Sequence, residues 1–496
     1  MSGRTTYFNS AVGTLWKGFN RGFAMALSLA IVACGGGYSG GTTPAQNFGP
    51  TATTVAVGTI TGFGSVHLNG LKFETTSATI KIDGASGVQD DLHVGEVIEV
   101  KGHHDAASGK DIADEIEFHA NIKGPVGAVD AAAGTLVVLG QSVTVSADTS
   151  FDDSITPASL AGIQVGDILE ISGMPAADGT LHATRIEKEP AGTTFQVIGT
   201  AASTDATAKT LKINALVVDF SAATLVDFPA TGPKDGDLVE ASGTTVDSAG
   251  VLQATRLELR TGKEIKPDAD AKLEVEGLIT RFVSATDFDV AGRPVTTSSS
   301  TVFEGGTAND LALNVRVEAE GAVDASGVLS ATKIQIGHPA EDRMSGMVDA
   351  VDATAGTVKI LGTTVSVDAM TRFEDHTAAH IQTFSLANVQ AGDWLEIRGV
   401  TSATGDSVKA SRVDRLKAQS GVRLSGPVAT VADPNFTILA TTVATTSATK
   451  FNHGLDAATF FATAVGKTVS VKGSWNGTVL AADEVQSGDG GEDGED

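Results

Sequence analysis

Short runs of alternating apolar and polar residues fill most of this chain, and the runs come in sets. One set is "GPVGAVD" (124–130), "GTLVVLG" (134–140), "QSVTVSADTSF" (141–151), "DILEISG" (167–173) and "GTLHATRIE" (179–187). Apolar residues at every second place are the period of a half-buried strand, and the intervening Gly, Asp and Pro mark turns. "PASLAGIQVGD" (157–167) breaks the alternation and predicts a short helix or loop. The set therefore predicts five strands with an interruption between the third and fourth.

The set returns five more times. "GDILEISG" (166–173) recurs as "GDLVEASG" (236–243) and "GDWLEIRG" (392–399). Looser copies are "GEVIEVKG" (95–102), "NVRVEAEG" (314–321) and "GKTVSVKG" (466–473). After it comes an "LHATRIE" phrase (181–187), repeated as "LQATRLE" (252–258), "LSATKIQ" (329–335) and "VKASRVD" (408–414). Self-similarity at this period marks a repeat architecture. The element order predicts an all-β chain of six tandem five-stranded OB-like β-barrels. The repeats are placed at 55–121, 122–190, 195–262, 272–338, 344–418 and 423–488. Set in line as an elongated array, six such globules would reach roughly 150 Å.

The first repeat carries a family resemblance. "GFGSVHLNGLKFETTSATIKIDG" (62–84), followed by "DLHVGEVIEVKG" (91–102), resembles the bacterial repeat called domain of unknown function DUF5666. The resemblance implies tandem domains on exported lipoproteins. It implies no activity and no functional residue.

The ends of the chain change the picture more than its bulk composition does. Residues 1–33 contain Arg4, Lys17 and Arg21 and no acid, and end in the apolar run "FAMALSLAIVA" (23–33). Eleven apolar residues are too few to span a bilayer as a helix but suit a secretory signal. The run ends at Cys34, the only cysteine. "IVAC" resembles a bacterial lipobox, so Cys34 is the expected lipidation site and membrane anchor, and Gly35 resembles the pattern sorted to the outer membrane. Residues 34–54 read as a flexible tether, and 489–496 as an acidic disordered tail. With one cysteine, no intrachain disulfide can form.

The formal net charge is −26, which leaves −29 beyond residue 33. Such a chain repels phosphate backbones, so nucleic acid is not an expected partner. Polysaccharide, an envelope protein or divalent cations remain. Among side chains, the returning phrases place an acid on the fourth strand and a base on the fifth. Their spacing predicts exposed cross-strand pairs Glu170–Arg185, Glu240–Arg256, Glu318–Lys333 and Glu396–Arg412. Two histidine groups are candidate metal ligands: His376 with His380, and His103 with His104 in a strand turn. Trp394 and Trp475 are candidate platforms for stacking a sugar. No nucleophile elbow, zinc-protease helix, phosphate loop or paired-cysteine motif occurs, so neither catalysis nor a cofactor is expected. The sequence points to a lipid-anchored envelope protein with a structural, adhesive or ligand-binding role. The alternatives are a divalent-cation-binding surface protein and a polysaccharide-acting enzyme.

Overall fold

The computed structural model describes residues 53–260, 271–324, 326–337, 342–402, 405–452 and 456–487. The expected signal segment, Cys34, nearly all of the tether and the acidic tail lie outside the described residues. The chain is all-β in six tandem repeats. In repeat 2 the strands are Ile122–Asp130, Thr135–Val138, Gln141–Thr144, Ile168–Pro175 and Leu181–Glu189. A two-residue strand, Ser150–Phe151, is added after the third. The interruption holds a single 3-10 turn at Leu160–Gly162; repeat 6 has a true helix there, Ala457–Thr463. Among the described residues no helix is long and apolar enough to cross a membrane.

Within a repeat the last strand runs parallel to the third and antiparallel to the fourth, and the fourth returns antiparallel to the first. Every repeat carries a β-bulge where the fourth and last strands meet. In repeat 2 Ser172 faces Arg185 but Gly173 faces Ala183, which leaves Thr184 extra. The Thr184 hydroxyl donates to the Ser172 carbonyl at 3.1 Å. Thr255, Thr332 and Ser411 do the same to the carbonyls of Ser242, Glu320 and Arg398. Glycine is required opposite: a Cβ at Gly173 would lie 2.4 Å from the His182 carbonyl oxygen, and one at Gly473 would lie 2.0 Å from that of Ala481. The paired phrases "…G" and "A-T-R" thus encode a bulge: one supplies space and the other a hydroxyl for the carbonyl that the bulge displaces.

The expected row of six separate OB-like barrels in an elongated array is overturned. The first strand of each repeat has a second backbone edge, and an unpaired edge is a template for another strand. That edge is paired in every repeat, so the coils of strands are stacked and fused in twos into sheets of 13, 12 and 12 strands. Repeats 2 and 3 join antiparallel at Ile122↔Val197, and repeats 5 and 6 at Met344↔Leu424. Each of these couples shares one apolar core. Repeat 1 instead joins repeat 4, in parallel, through Thr54–Val57 and Lys272–Val275. Its Val55 packs into the core of repeat 4. The stacking is solenoid-like, but it departs from a linear solenoid, in which each repeat meets only its sequence neighbours. Repeat 1 also touches repeat 5, where the Phe373 amide donates to the Thr61 carbonyl at 3.3 Å. Repeat 2 touches repeat 4, where the Ala177 amide donates to Asn314 Oδ1 at 3.0 Å. A single coil of this size buries too little apolar surface to be more than marginally stable, and fusion supplies the rest.

Candidate functional site

The charged side chains of the recurring phrases share a face of their strands, but most of that face is covered, and of the eight only Arg256 is exposed. The covered part is where repeats meet. Arg185, Arg412, Glu240, Glu318 and Glu396 are all buried. The expected pairing is also two residues out of register. Glu170 faces Glu187, Glu240 faces Glu258, Glu318 faces Gln335 and Glu396 faces Asp414. The bases face Ser172, Ser242, Glu320 and Arg398 in the same order. Hairpin registry is set by the turn and bulge, neither of which the charge pattern reveals.

The actual partners lie either two residues along the same strand or on other strands and repeats. Glu170 takes Lys123, and Glu240 lies 3.4 Å from His119 and 3.7 Å from Arg260. Arg256 holds its own neighbour Glu258, and Lys333 holds Glu304 at 3.0 Å. Glu396 is clasped by Arg343 and Arg398, both at 2.8 Å. Arg185 of repeat 2 reaches Glu374 of repeat 5 at 2.9 Å and the Val94 carbonyl of repeat 1 at 3.0 Å. Arg412 of repeat 5 holds Asp414 at 2.8 Å and Glu374 at 3.1 Å, and donates to the Thr149 carbonyl of repeat 2 at 2.6 Å. Burial opposes the charge on Arg185, but Glu374 and Glu187 outweigh it and raise its pKa. Burial alone would raise the Asp414 carboxyl; Arg412 and His376 pull it well below the usual range instead.

Beside this network lies a cavity of about 100 Å³ where repeats 1, 2 and 5 converge, lined by His93, Arg185, Asp153, Glu374, His376 and His380 among others. The structure does bring His376 and His380 together, though through Asp153 of repeat 2: His376 Nδ1 bonds one oxygen, and His380 Nδ1 lies 3.4 Å from the other. Burial disfavours the His376 imidazolium, yet Asp414, Glu374 and Asp153 raise its pKa to about 9. Among the described residues, two groups have three ligand atoms close enough to share one metal ion. They are Glu374–His376–Asp414 and His93–Glu96–Glu187. The second was not anticipated from the sequence, although the H-x-x-E spacing at 93–96 was visible within the "H-V-G-E" turn.

The remaining expected residues are placed otherwise. His103 and His104 lie in the strand Val97–Asp105 rather than in a turn, and bond separate carboxylates, Asp114 at 3.0 Å and Asp111 at 2.9 Å. Consecutive strand residues point to opposite faces, so the two rings do not form one ligand set. Trp394 is buried in the core shared by repeats 5 and 6, and its indole N–H donates to Ser345 Oγ at 3.0 Å. It offers no face to a ligand. Trp475 ends the strand Thr468–Trp475 and packs half-buried over the turn at Gly362 of repeat 5. Trp394 is a joint of the shared core, and Trp475 braces repeat 6 against repeat 5.

The family model for a domain of unknown function (DUF5666) matches residues 56–117, 123–187, 199–258, 276–335, 345–414 and 425–486. These six segments account for most of the chain, which belongs to that family. No curated protein matches it. Tandem repeats of this kind, stacked in a β-rich chain, fit a structural or adhesive protein.

Proposed function

We propose that this member of the DUF5666 family is a non-enzymatic structural or adhesive protein of the bacterial cell envelope. In this reading it is exported, anchored by lipid on Cys34, and presents its stacked repeats to polysaccharide or to another envelope protein. The observation that carries it is the use of the charged phrase positions. Arg185, Arg412 and Glu396 bind strands and repeats to one another, as parts of a framework do. The net charge of −26 supports an exterior that stays soluble and does not bind nucleic acid. A cation-binding role is the second reading, supported by the two convergent His/Glu/Asp groups.

Thermal unfolding of the purified mature chain against calcium, zinc, chelator and soluble envelope polysaccharides tests the choice. A ligand at a hundred times its dissociation constant adds about 2.7 kcal/mol. A shift with one polysaccharide supports the adhesive reading. A shift with calcium alone moves the assignment to the second, and cleavage of any polysaccharide during the assay sinks the non-enzymatic claim. Anchoring is tested separately: Cys34→Ala should release the protein from the membrane fraction and abolish incorporation of labelled fatty acid.

A further inference from the structure

The six repeats share one turn ahead of the fourth strand, and the residue that caps it varies: Val315 and Lys467 stand at the capping position in repeats 4 and 6, and Glu96 in repeat 1. In repeats 2, 3 and 5 an aspartate caps the turn: the amides of Gln164, Lys234 and Gln390 donate to Asp167, Asp237 and Asp393 at 2.8, 3.0 and 2.9 Å. Repeat 1 makes the same bond, from the His93 amide to Glu96 Oε2 at 2.9 Å. Only here is the capped residue a histidine. The longer glutamate leaves its second oxygen 3.3 Å from His93 Nδ1. Glu187 of repeat 2 brings a further oxygen to 3.4 Å from the same nitrogen.

We propose that His93, Glu96 and Glu187 form a binding site for a divalent transition metal of the zinc type, and that the ion clasps repeat 1 to repeat 2. Zinc bonds to histidine nitrogen and carboxylate oxygen are about 2.0–2.2 Å long, so ligand atoms on a tetrahedron lie roughly 3.3–3.6 Å apart. The distances of 3.3 and 3.4 Å fall in that range, and all three ligand atoms lie within 4.8 Å of one another. The ligands are held by outer partners, as metal ligands commonly are. Glu96 is fixed by the His93 amide, and Glu187 by Arg185, itself anchored on Val94 and Glu374. His93 and Arg185 also line the cavity, which leaves room for a fourth ligand. Charge favours the ion as well: two carboxylates, one of them fully buried, face a single imidazole.

The rival group, Glu374–His376–Asp414, is less suited. Arg412 already binds both of its carboxylates, and Arg185 binds Glu374. A dication there would meet two fixed guanidinium groups, whereas at His93 it would meet one, Arg185 on Glu187, and Glu96 carries none among the described residues.

The test is calorimetric titration of the chelator-treated mature chain with zinc chloride, then with calcium chloride. The variants are His93→Gln, which installs the residue found at this turn in repeats 2 and 5, and His376→Ala. The proposal expects zinc to bind once, calcium at least tenfold more weakly, His93→Gln to weaken zinc about 100-fold or more, and His376→Ala to leave it within a few-fold. Melting in chelator should be similar for His93→Gln and the parent, which separates lost binding from lost folding. Should His93→Gln melt early, cobalt substitution of the parent gives the second readout: a visible band of a nitrogen- and oxygen-ligated site that disappears on adding zinc supports the site. Failure to bind zinc, retention of zinc by a folded His93→Gln, loss of zinc only in His376→Ala, or no cobalt band each overturns it. Stabilisation by acid with no response to metal shows a protonated His93 clasp instead and equally overturns it.

Discussion

Two buried charge networks grow from the same recurring phrases and behave in opposite ways. Where repeats 2 and 5 meet, guanidinium groups are abundant: Arg185, Arg343, Arg398 and Arg412 surround Glu374, Asp414 and Glu396. There Asp414 and Glu396 fall below their usual range. Burial works against Glu396, but Arg398 and Arg343 bring it down to about 2. In repeat 4, four glutamates line the pairing of Lys272–Ser284 with Arg316–Val323, Glu274 opposite Glu320 and Glu276 opposite Glu318. Lys272 pairs with Glu274 and Glu320 and Arg316 with Glu276, Lys333 turns to Glu304 outside the set, and Glu274 Oε2 and Glu318 Oε2 have no hydrogen-bond partner. Burial, only partly offset by Lys272, raises Glu274 to about 7. Burial and the charges of Glu274 and Glu276 raise Glu318 well above its ordinary value. The lesson is that burial at a junction does not decide whether a charge stabilises. The supply of fixed cations does.

The sharpest way to break the contrast is to remove a cation from the first network. Arg412→Ala leaves Asp414 and Glu374 short of a partner and should cost about 3–5 kcal/mol in denaturant unfolding, as removing one partner of a buried pair does. A cost below about 1 kcal/mol would show that the guanidinium groups are redundant.

In repeat 4 the opposite change should help. Glu318→Gln removes a buried charge with an unpartnered oxygen and should stabilise by about 1–3 kcal/mol at pH 7.5. Destabilisation would mean that Lys333 is a better partner than its geometry indicates.

A pH scan sharpens the comparison further. A carboxyl whose folded pKa is raised binds protons more tightly when folded. Stability should therefore increase as pH falls from about 8 to 5, through the value of Glu274 near 7. His376, raised to about 9, adds stability that is full below its unfolded value near 6.5 and lost as pH rises through 9. Below about pH 4.5 the sign reverses, because Glu396 and Asp414 are depressed and their contribution is lost toward pH 2. Glu318→Gln should flatten the rise between pH 8 and 5 and leave the acid limb alone.

The smallest effect belongs to a pair outside both networks. Lys81 meets Glu115 at 2.6 Å and Glu117 at 2.9 Å on a partly exposed face of repeat 1. Lys81→Ala should cost no more than about 1 kcal/mol and should fade with salt. A larger loss would show that exposed pairs in this chain behave like the buried ones.

The sequence by itself determined the all-β class, the six repeats and most of their strands, because apolar alternation and Gly-marked turns are local signals. It also determined that the "A-T-R" phrase is architectural, since its charges are exchanged between repeats: Ser470 and Glu484 in repeat 6 stand where Glu170 and Arg185 stand in repeat 2. Only the tertiary structure decided which strand edges meet, and so overturned the row of separate barrels. Pairing repeat 1 with repeat 4 depends on complementary free edges more than 200 residues apart, which leave no periodic trace. The same holds for the charges. Alternation places Glu170 and Arg185 off the apolar face, but whether that face meets water or another repeat is a fact of assembly. His376 and His380 were legible as a pair, whereas the Asp153 joining them comes from repeat 2, and the triad of His93, Glu96 and Glu187 exists only because two coils stack. Local physics writes strands and bulges into the sequence; the convergence of side chains from different repeats is written only in the packing.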